Sequence, residues 1–257
     1  MVNPSGVTLL VLVSLGLVVG SFLNVCVYRL PRGGSVVRPL SHCTRCGHTL
    51  RWFDNVPVLS YLILRGRCRT CLESISIVYP VVELVAPVLF FIQYWQLGWQ
   101  PLLGIRLAFS CALIVLFFID LQHRILPNVV TIPGIVIGLV ASFFVGPRWL
   151  DAVLGVAVGW GLLHTISEVY FRIRGEEGLG MGDVKMLAMI GAFVGWQLML
   201  FTLLFASLLG SLVGVVVIVL RHGDVKYALP FGSFLAISAI VSTVIGESFI
   251  AWYTSFY

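Results

Sequence analysis

Charge is what this sequence has least of. Only 11% of its 257 residues are Asp, Glu, Lys or Arg, against 59% hydrophobic, so the chain lacks the polar surface that keeps a soluble domain of this length dispersed. Ten-residue alternation of apolar and polar positions is missing too, which removes a membrane β-barrel and leaves helices as the way to satisfy the backbone in lipid. No Lys or Arg precedes the first apolar run, and that run is longer than the apolar core of a signal peptide, so it is expected to stay as a helix. No glycine-rich nucleotide loop follows a strand, and no clear repeat relates the two halves of the chain, as it would in many transporters. What the sequence has instead is one long apolar run after another, the mark of an all-α polytopic membrane protein.

Reading those runs between glycines, prolines and charges gives about eight transmembrane helices, at 6–27, 81–98, 102–121, 129–145, 150–171, 184–196, 198–220 and 229–252. Basic residues then give the orientation, because cytoplasmic loops are enriched in Lys and Arg. The loop 28–80 carries Arg29, Arg32, Arg38, Arg45, Arg51, Arg65, Arg67 and Arg69. Placing it inside also puts Arg124, Arg172, Arg174, Lys185, Arg221 and Lys226 inside and leaves Arg106 and Arg148 outside, fourteen against two. Both termini then lie outside. The net charge of +5 reports this orientation and calls for no nucleic acid; the expected surroundings are membrane lipid. The expected division is a first transmembrane helix at 1–27, a cytoplasmic insert at 28–80 and a seven-helix membrane domain at 81–257.

The insert is the one soluble module. It holds Cys43-Thr44-Arg45-Cys46 and Cys68-Arg69-Thr70-Cys71, two C-x2-C pairs with 21 residues between them. That spacing predicts a four-thiolate zinc site, in which two tight knuckles each supply a pair of ligands and the metal folds a segment too small for its own core. Two disulfides or four free thiols are the competing expectations, and a reducing cytoplasm disfavours the disulfides. His42 and His48 adjoin the first pair but are surplus to a complete set of four cysteines. Cys26 and Cys111 fall in apolar runs, as packing residues.

Two aspartates stand out because a carboxylate at a bilayer boundary is a functional-site hypothesis by default. Asp120 closes one apolar run and Asp183 opens another, within Gly180-Met181-Gly182-Asp183. Asp is a favoured N-cap, so Asp183 could simply start a helix. Asp120 follows Phe117-Phe118-Ile119 at a helix end, where the dipole disfavours an anion. Two carboxylates within reach of each other share one proton, and one can then activate water while the other donates to a carbonyl. Gly180 and Gly182 are expected to let an extended substrate backbone approach. The dipole favours ionised Asp183, with Asp120 as the protonated partner. The run after Asp183 reaches only to Trp196, roughly 20 Å at the helical rise against a core of about 30 Å, which predicts a site recessed below the membrane surface.

Taken in order along the chain, several segments resemble the type IV prepilin peptidases. They are Gly20-Ser21-Phe22-Leu23-Asn24-Val25, Tyr28-Arg29-Leu30-Pro31, the two cysteine pairs, Asp54-Asn55-Val56-Pro57, Tyr79-Pro80-Val81-Val82-Glu83-Leu84, Asp120 with Leu126-Pro127, Gly180-Met181-Gly182-Asp183 with Lys185, and Pro230-Phe231-Gly232. The resemblance implies a GxGD-type membrane aspartyl protease of the bacterial inner membrane. It would cleave a basic leader after a glycine at the cytoplasmic boundary of prepilins or pseudopilins, and then methylate the new N-terminal residue from S-adenosylmethionine. Its catalytic aspartates match Asp120 and Asp183. The methyltransferase half is expected in the first part of the chain, with Glu83 as the polar candidate; a plain acidic residue near a helix start is the alternative. Asn128 stands where an aspartate is frequent and cannot ionise, so it offers no substitute for Asp120. Thr44 stands where proline is frequent.

Other polar residues carry structural expectations. Glu168 and Arg172 have the spacing of a helix-face ion pair, and Asn24 is expected to bond across helices. Glu176 and Glu177 form an acidic doublet that either attracts a basic leader or is a solvated loop. An intramembrane aspartyl protease of other substrates and a non-enzymatic proton or cation carrier stay open as alternatives, as do the oligomeric state and the choice among pilus assembly, type II secretion and DNA uptake.

Overall fold

A computed structural model describes residues 4–176, 178–220 and 229–255. Glu177 of the acidic doublet, and Arg221 and Lys226 of the charge reading, lie outside the described residues. The regular structure of the described chain is helical apart from two isolated bridges, His42 with Thr49 and Arg67 with Ser74. In order come α1 (Gly6–Arg29), α2 (Leu59–Ile63), α3 (Val78–Leu97), α4 (Pro101–His123), α5 (Asn128–Ala141), α6 (Trp149–Arg174), α7 (Met181–Leu220), α8 (Phe231–Val241) and α9 (Glu247–Thr254), with a π-helical stretch at Ser242–Gly246 between the last two.

Five of these are long and apolar enough to cross a membrane: α1 continued to Arg32, α3, α4, α6 and α7. Each of the eight apolar runs is helical, but five is the number that length and composition support. The excess has three causes. At 14 residues α5 reaches only about 21 Å. The run 229–252 is divided among α8, the π-helical stretch and α9, of which Phe231–Gly246 falls short of a span. The runs 184–196 and 198–220 belong to one 40-residue helical stretch. That stretch is broken at Gly195, whose φ of 82° and ψ of 170° are not helical. A side chain would resist this conformation.

Packing groups the chain into two compact units, Met1–Val115 and Leu116–Tyr257, dividing within α4. In the first, α1 and α3 run antiparallel. Gly16 backs onto Pro87 and Gly20 onto Glu83, so close that a Cβ on Gly20 would lie 2.8 Å from the Glu83 Cα. Small residues let the two backbones meet, as at many membrane helix contacts. Asn24 Nδ2 donates to the Tyr79 carbonyl at 3.0 Å, the cross-helix bond expected of it.

In the second unit the first leg of α7, residues 181–194, is the centre. Met186, Leu187, Ala188, Met189 and Ile190 are fully buried. Antiparallel α6 crosses it where Gly155 meets Gly191 backbone to backbone, and α5 runs parallel to it with Gly134 on Met189 and Gly138 on Ala192. The second leg of α7 packs against antiparallel α8, with a buried 2.9 Å hydrogen bond between Thr202 and Ser242. Glu168 and Arg172 pair on the exposed face of α6 at 2.9 Å.

Candidate active site and thiol cluster

Asp120 lies in the last turn of α4, which Arg124 ends by adopting a left-handed conformation (φ 56°) and donating its N–H to the Asp120 carbonyl at 2.8 Å. Its carboxyl is turned away from solvent, the residue being 5% exposed. Two donors converge on Oδ2: the Ser233 N–H at 2.7 Å and the Ser233 hydroxyl at 2.9 Å. Ser233 is the third residue of α8, after the Pro230 cap. Asp120 therefore faces the N-terminus of α8, which offsets the unfavourable end of its own helix. Gly232 makes this approach possible, since a Cβ there would lie 3.1 Å from the Asp120 Cγ and 2.8 Å from Leu126.

Asp183 is the third residue of α7 rather than its N-cap. Gly180 precedes the helix, accepting from the Asp183 N–H at 3.0 Å and giving its own N–H to the Asp183 carboxylate. This is the half of a capping box in which the third residue reaches back. The motif's second glycine does not present an open face: Leu126 fills the space a Gly182 Cβ would need, at 2.9 Å, whereas a Cβ on Gly180 would meet Asp183 Oδ2 at 3.3 Å.

Leu126, in the loop from α4 to α5, is the wedge of the site, touching both Gly182 and Gly232. Across it the charge of Asp120 reaches Asp183. The two residues are 63 positions apart in sequence, and the second unit brings them together. The dipole does not rank them as the sequence predicted, because each carboxylate meets a helix N-terminus. Beside them Lys185 donates to Asn128 Oδ1 at 2.8 Å, so Asn128 is held by a cation and plays no part as acid or base.

Sequence reading missed Ser233. Its signal was present as Pro230-Phe231-Gly232-Ser233 at the head of an apolar run, a helix start with a hydroxyl in its first turn. The partner 113 residues upstream could not be read from that pattern.

The four insert cysteines also meet. Each pair sits on a tight knuckle: the Cys43 N–H bonds to the His48 carbonyl at 2.9 Å, and the Cys68 N–H to the Glu73 carbonyl at 2.8 Å. All four Sγ atoms lie within 4.8 Å of one another, with Cys43 and Cys71 at 3.8 Å. That separation is far beyond a disulfide bond of about 2.05 Å. It equals the edge of a tetrahedron with metal–sulfur bonds of about 2.3 Å, roughly 3.8 Å. The donor set suits zinc. Backbone N–H groups of Cys71 and then Thr70 pull the Cys68 thiol down to about 7, whereas at Cys71, against the Glu73 N–H, burial and the neighbouring thiols push the thiol up to about 12, so a bound metal would have to displace that proton. His42 turns its Nδ1 to the Leu40 carbonyl at 3.0 Å. Arg69 clamps the second knuckle through two bonds, 2.9 and 2.7 Å, to Oδ1 of buried Asp54.

Glu83 has a structural partner. Its Oε2 accepts the Val58 N–H at 2.7 Å. Val58 is a β-branched residue at φ 60° and ψ −48°, and the Leu59 N–H bonds to the Pro57 carbonyl at 2.5 Å, which makes a strained γ-turn. In the same unit a cavity of about 300 Å³ is lined by Ser21, Phe22, Arg29, Ser41 and Asn55 among others. Glu83 does not line it, and Arg29 already gives its guanidinium to the Ser35, Pro39 and Leu40 carbonyls.

A family model for the Bacterial Peptidase A24 N-terminal domain matches residues 14–97, and one for the Type IV leader peptidase family matches 107–215. The prepilin leader peptidase/N-methyltransferase of Pseudomonas putida is 38% identical over 92% of this chain and 90% of its own length. That of Myxococcus xanthus is 45% identical over 79% of this chain and 61% of its own length, and that of Pseudomonas aeruginosa 35% identical over 94% and 92%. No solved structure matches the chain significantly. With both halves matched in order and full-length relatives this similar, the chain is a multi-pass bacterial membrane protein that belongs to the type IV leader peptidase family, the prepilin leader peptidase/N-methyltransferases.

Proposed function

We propose that this prepilin leader peptidase removes the basic leader of type IV prepilins or pseudopilins with Asp120 and Asp183 as its catalytic pair. One observation carries the assignment: two carboxylates distant in sequence converge around Leu126, one of them buried and held by two donors from Ser233. Such a pair holds one proton between its members. The ionised member takes a proton from water as the oxygen attacks the scissile carbonyl, and the protonated member donates to the carbonyl oxygen. Collapse of the tetrahedral intermediate breaks the C–N bond and returns a proton to the leaving amine.

The charge distribution supports a site facing the cytoplasm of the inner membrane, with both chain termini outside. The short leg of α7 after Asp183 supports a recess below the surface. About eight helical segments in or partly in the membrane remain the reading of the apolar pattern. Cys43, Cys46, Cys68 and Cys71 are proposed to hold one structural zinc. Methylation of the new N-terminus from S-adenosylmethionine is the second proposed activity, with Glu83, which bonds Val58, Ser21 and Asn24, as its polar candidate.

The test is leader cleavage by purified Asp120→Asn and Asp183→Asn variants in detergent or membranes. Each is expected to lose activity by at least about a thousandfold, as when a general acid or base is removed together with the charge it shares. Folded variants of either position that still cut the leader at the parent rate overturn the assignment.

A further inference from the structure

Ser233 is placed on Asp120 more closely than helix packing requires. Its N–H is fixed by α8 and points at Asp120 Oδ2 at 2.7 Å, while its hydroxyl lies 2.9 Å from the same oxygen and 3.3 Å from the Phe117 carbonyl. A serine hydroxyl has one proton to give and can accept at the same time. It can therefore donate to Oδ2 or to Phe117, but not fully to both. The residue is 3% exposed, so no bulk water competes for the choice.

We propose that Ser233 is a positioning residue for Asp120 whose hydroxyl follows the carboxyl's protonation state. With Asp120 ionised, the hydroxyl donates to Oδ2. With a proton on Oδ1, Oδ2 loses its charge, its bond from the hydroxyl weakens, and the hydroxyl shares its hydrogen with the Phe117 carbonyl at 3.3 Å. Both states are then satisfied without moving a heavy atom, which is what a carboxyl that gains and loses a proton in each turnover needs. The backbone N–H tethers Oδ2 throughout and leaves Oδ1 as the oxygen that addresses water. The charged groups facing Asp120 are Asp183 from α7 and Arg124 from the end of its own helix; from α8 the facing group is uncharged Ser233. The proposal rests on the two-aspartate reading.

The hydroxyl bonds more strongly to the ionised carboxylate than to the neutral acid, because charge-assisted bonds are roughly twice as strong. Removing it should therefore favour the protonated form. In full-length Ser233→Ala, with a leader-bearing prepilin as substrate, the acidic limb of the kcat profile is expected to move up by about one pH unit. KM should hold and kcat below neutrality should fall several-fold, while Ser233→Thr, which keeps the hydroxyl, should restore the parent limb. If Ser233→Ala does not fold, Ser233→Cys takes its place, with a weak donor of similar size and the same expected shift. A profile that superimposes on the parent overturns the proposal, as does an equal shift in the alanine and threonine variants, which would make the effect one of packing. Asp120→Asn is assayed alongside: activity there removes the two-aspartate reading itself, whereas an inactive Asp120→Asn with an unshifted Ser233→Ala removes only the role of Ser233.

Discussion

Leu72 occupies a position made for glycine. It stands four residues after Cys68, as Gly47 stands four after Cys43. Both are left-handed, at φ 58° and 70°, and both give their N–H to the first cysteine's carbonyl, at 3.0 and 2.9 Å. For an L residue with a side chain that conformation costs about 1–2 kcal/mol. Leu72→Gly removes the strain and adds unfolded-state freedom, for a net stabilisation of the insert of about 0.5–1 kcal/mol. Because folding of such a module is coupled to its metal, the readout is a chelator titration. Leu72→Gly should hold zinc to higher chelator concentration than the parent, and Gly47→Leu should release it sooner; identical midpoints for all three would refute this. At the same scale, Val58 shows why Glu83 could not be assigned from its own position: its role is set by a strained N–H 25 residues upstream.

Among the elements, the contact of α4 with α8 depends on the absence of one Cβ. Gly232→Ala would put a methyl group 2.8 Å from Leu126 and 3.1 Å from the Asp120 Cγ. Something must shift, and the movable parts are Leu126, which also contacts Gly182, and the Asp120 carboxyl. Leader cleavage by Gly232→Ala is expected to fall at least about tenfold through misplacement of the pair, with the unfolding temperature in detergent changed far less than for a core cavity. Parent activity in this variant would show that the site tolerates the displacement. All the helices of the described chain except α2, a five-residue helix inside the insert, fall in runs that were visible in the sequence between Gly, Pro and charge. Their pairing was not, because Gly155 and Gly191 look like any other glycines until α6 and α7 are laid antiparallel.

At the level of the whole molecule, the insert and the aspartate pair belong to different compact units, and each should respond to its own perturbation. Chelation of the purified full-length protein is expected to open residues 28–80 to limited proteolysis, and zinc to restore protection. Acid should act in the same direction. The Cys68 thiol, lowered to about 7, contributes its thiolate above that pH and loses it as pH falls through it. Zinc retention measured with a colorimetric chelator should therefore decline from neutrality downward. Protection that ignores both chelator and acid would mean that the cluster is held without metal.

The sequence alone determined what local pattern and composition can carry: the helical membrane class, the cysteine quartet with its ligand spacing, the two aspartates, the Asn24 and Glu168–Arg172 partnerships, and the family. Those features depend on residue type, spacing or accumulated polarity, all of which survive in one dimension. Tertiary structure alone decided that Asp120 meets the N-terminus of α8 through Ser233, that Gly182 is covered by Leu126, that Gly180 and not Asp183 precedes α7, and that Glu83 anchors Val58. Hydrogen bonds and steric contacts between distant segments depend on how helices cross and in which direction they run. The residues at those crossings are small or polar types that recur throughout the chain, so nothing local marks them as partners.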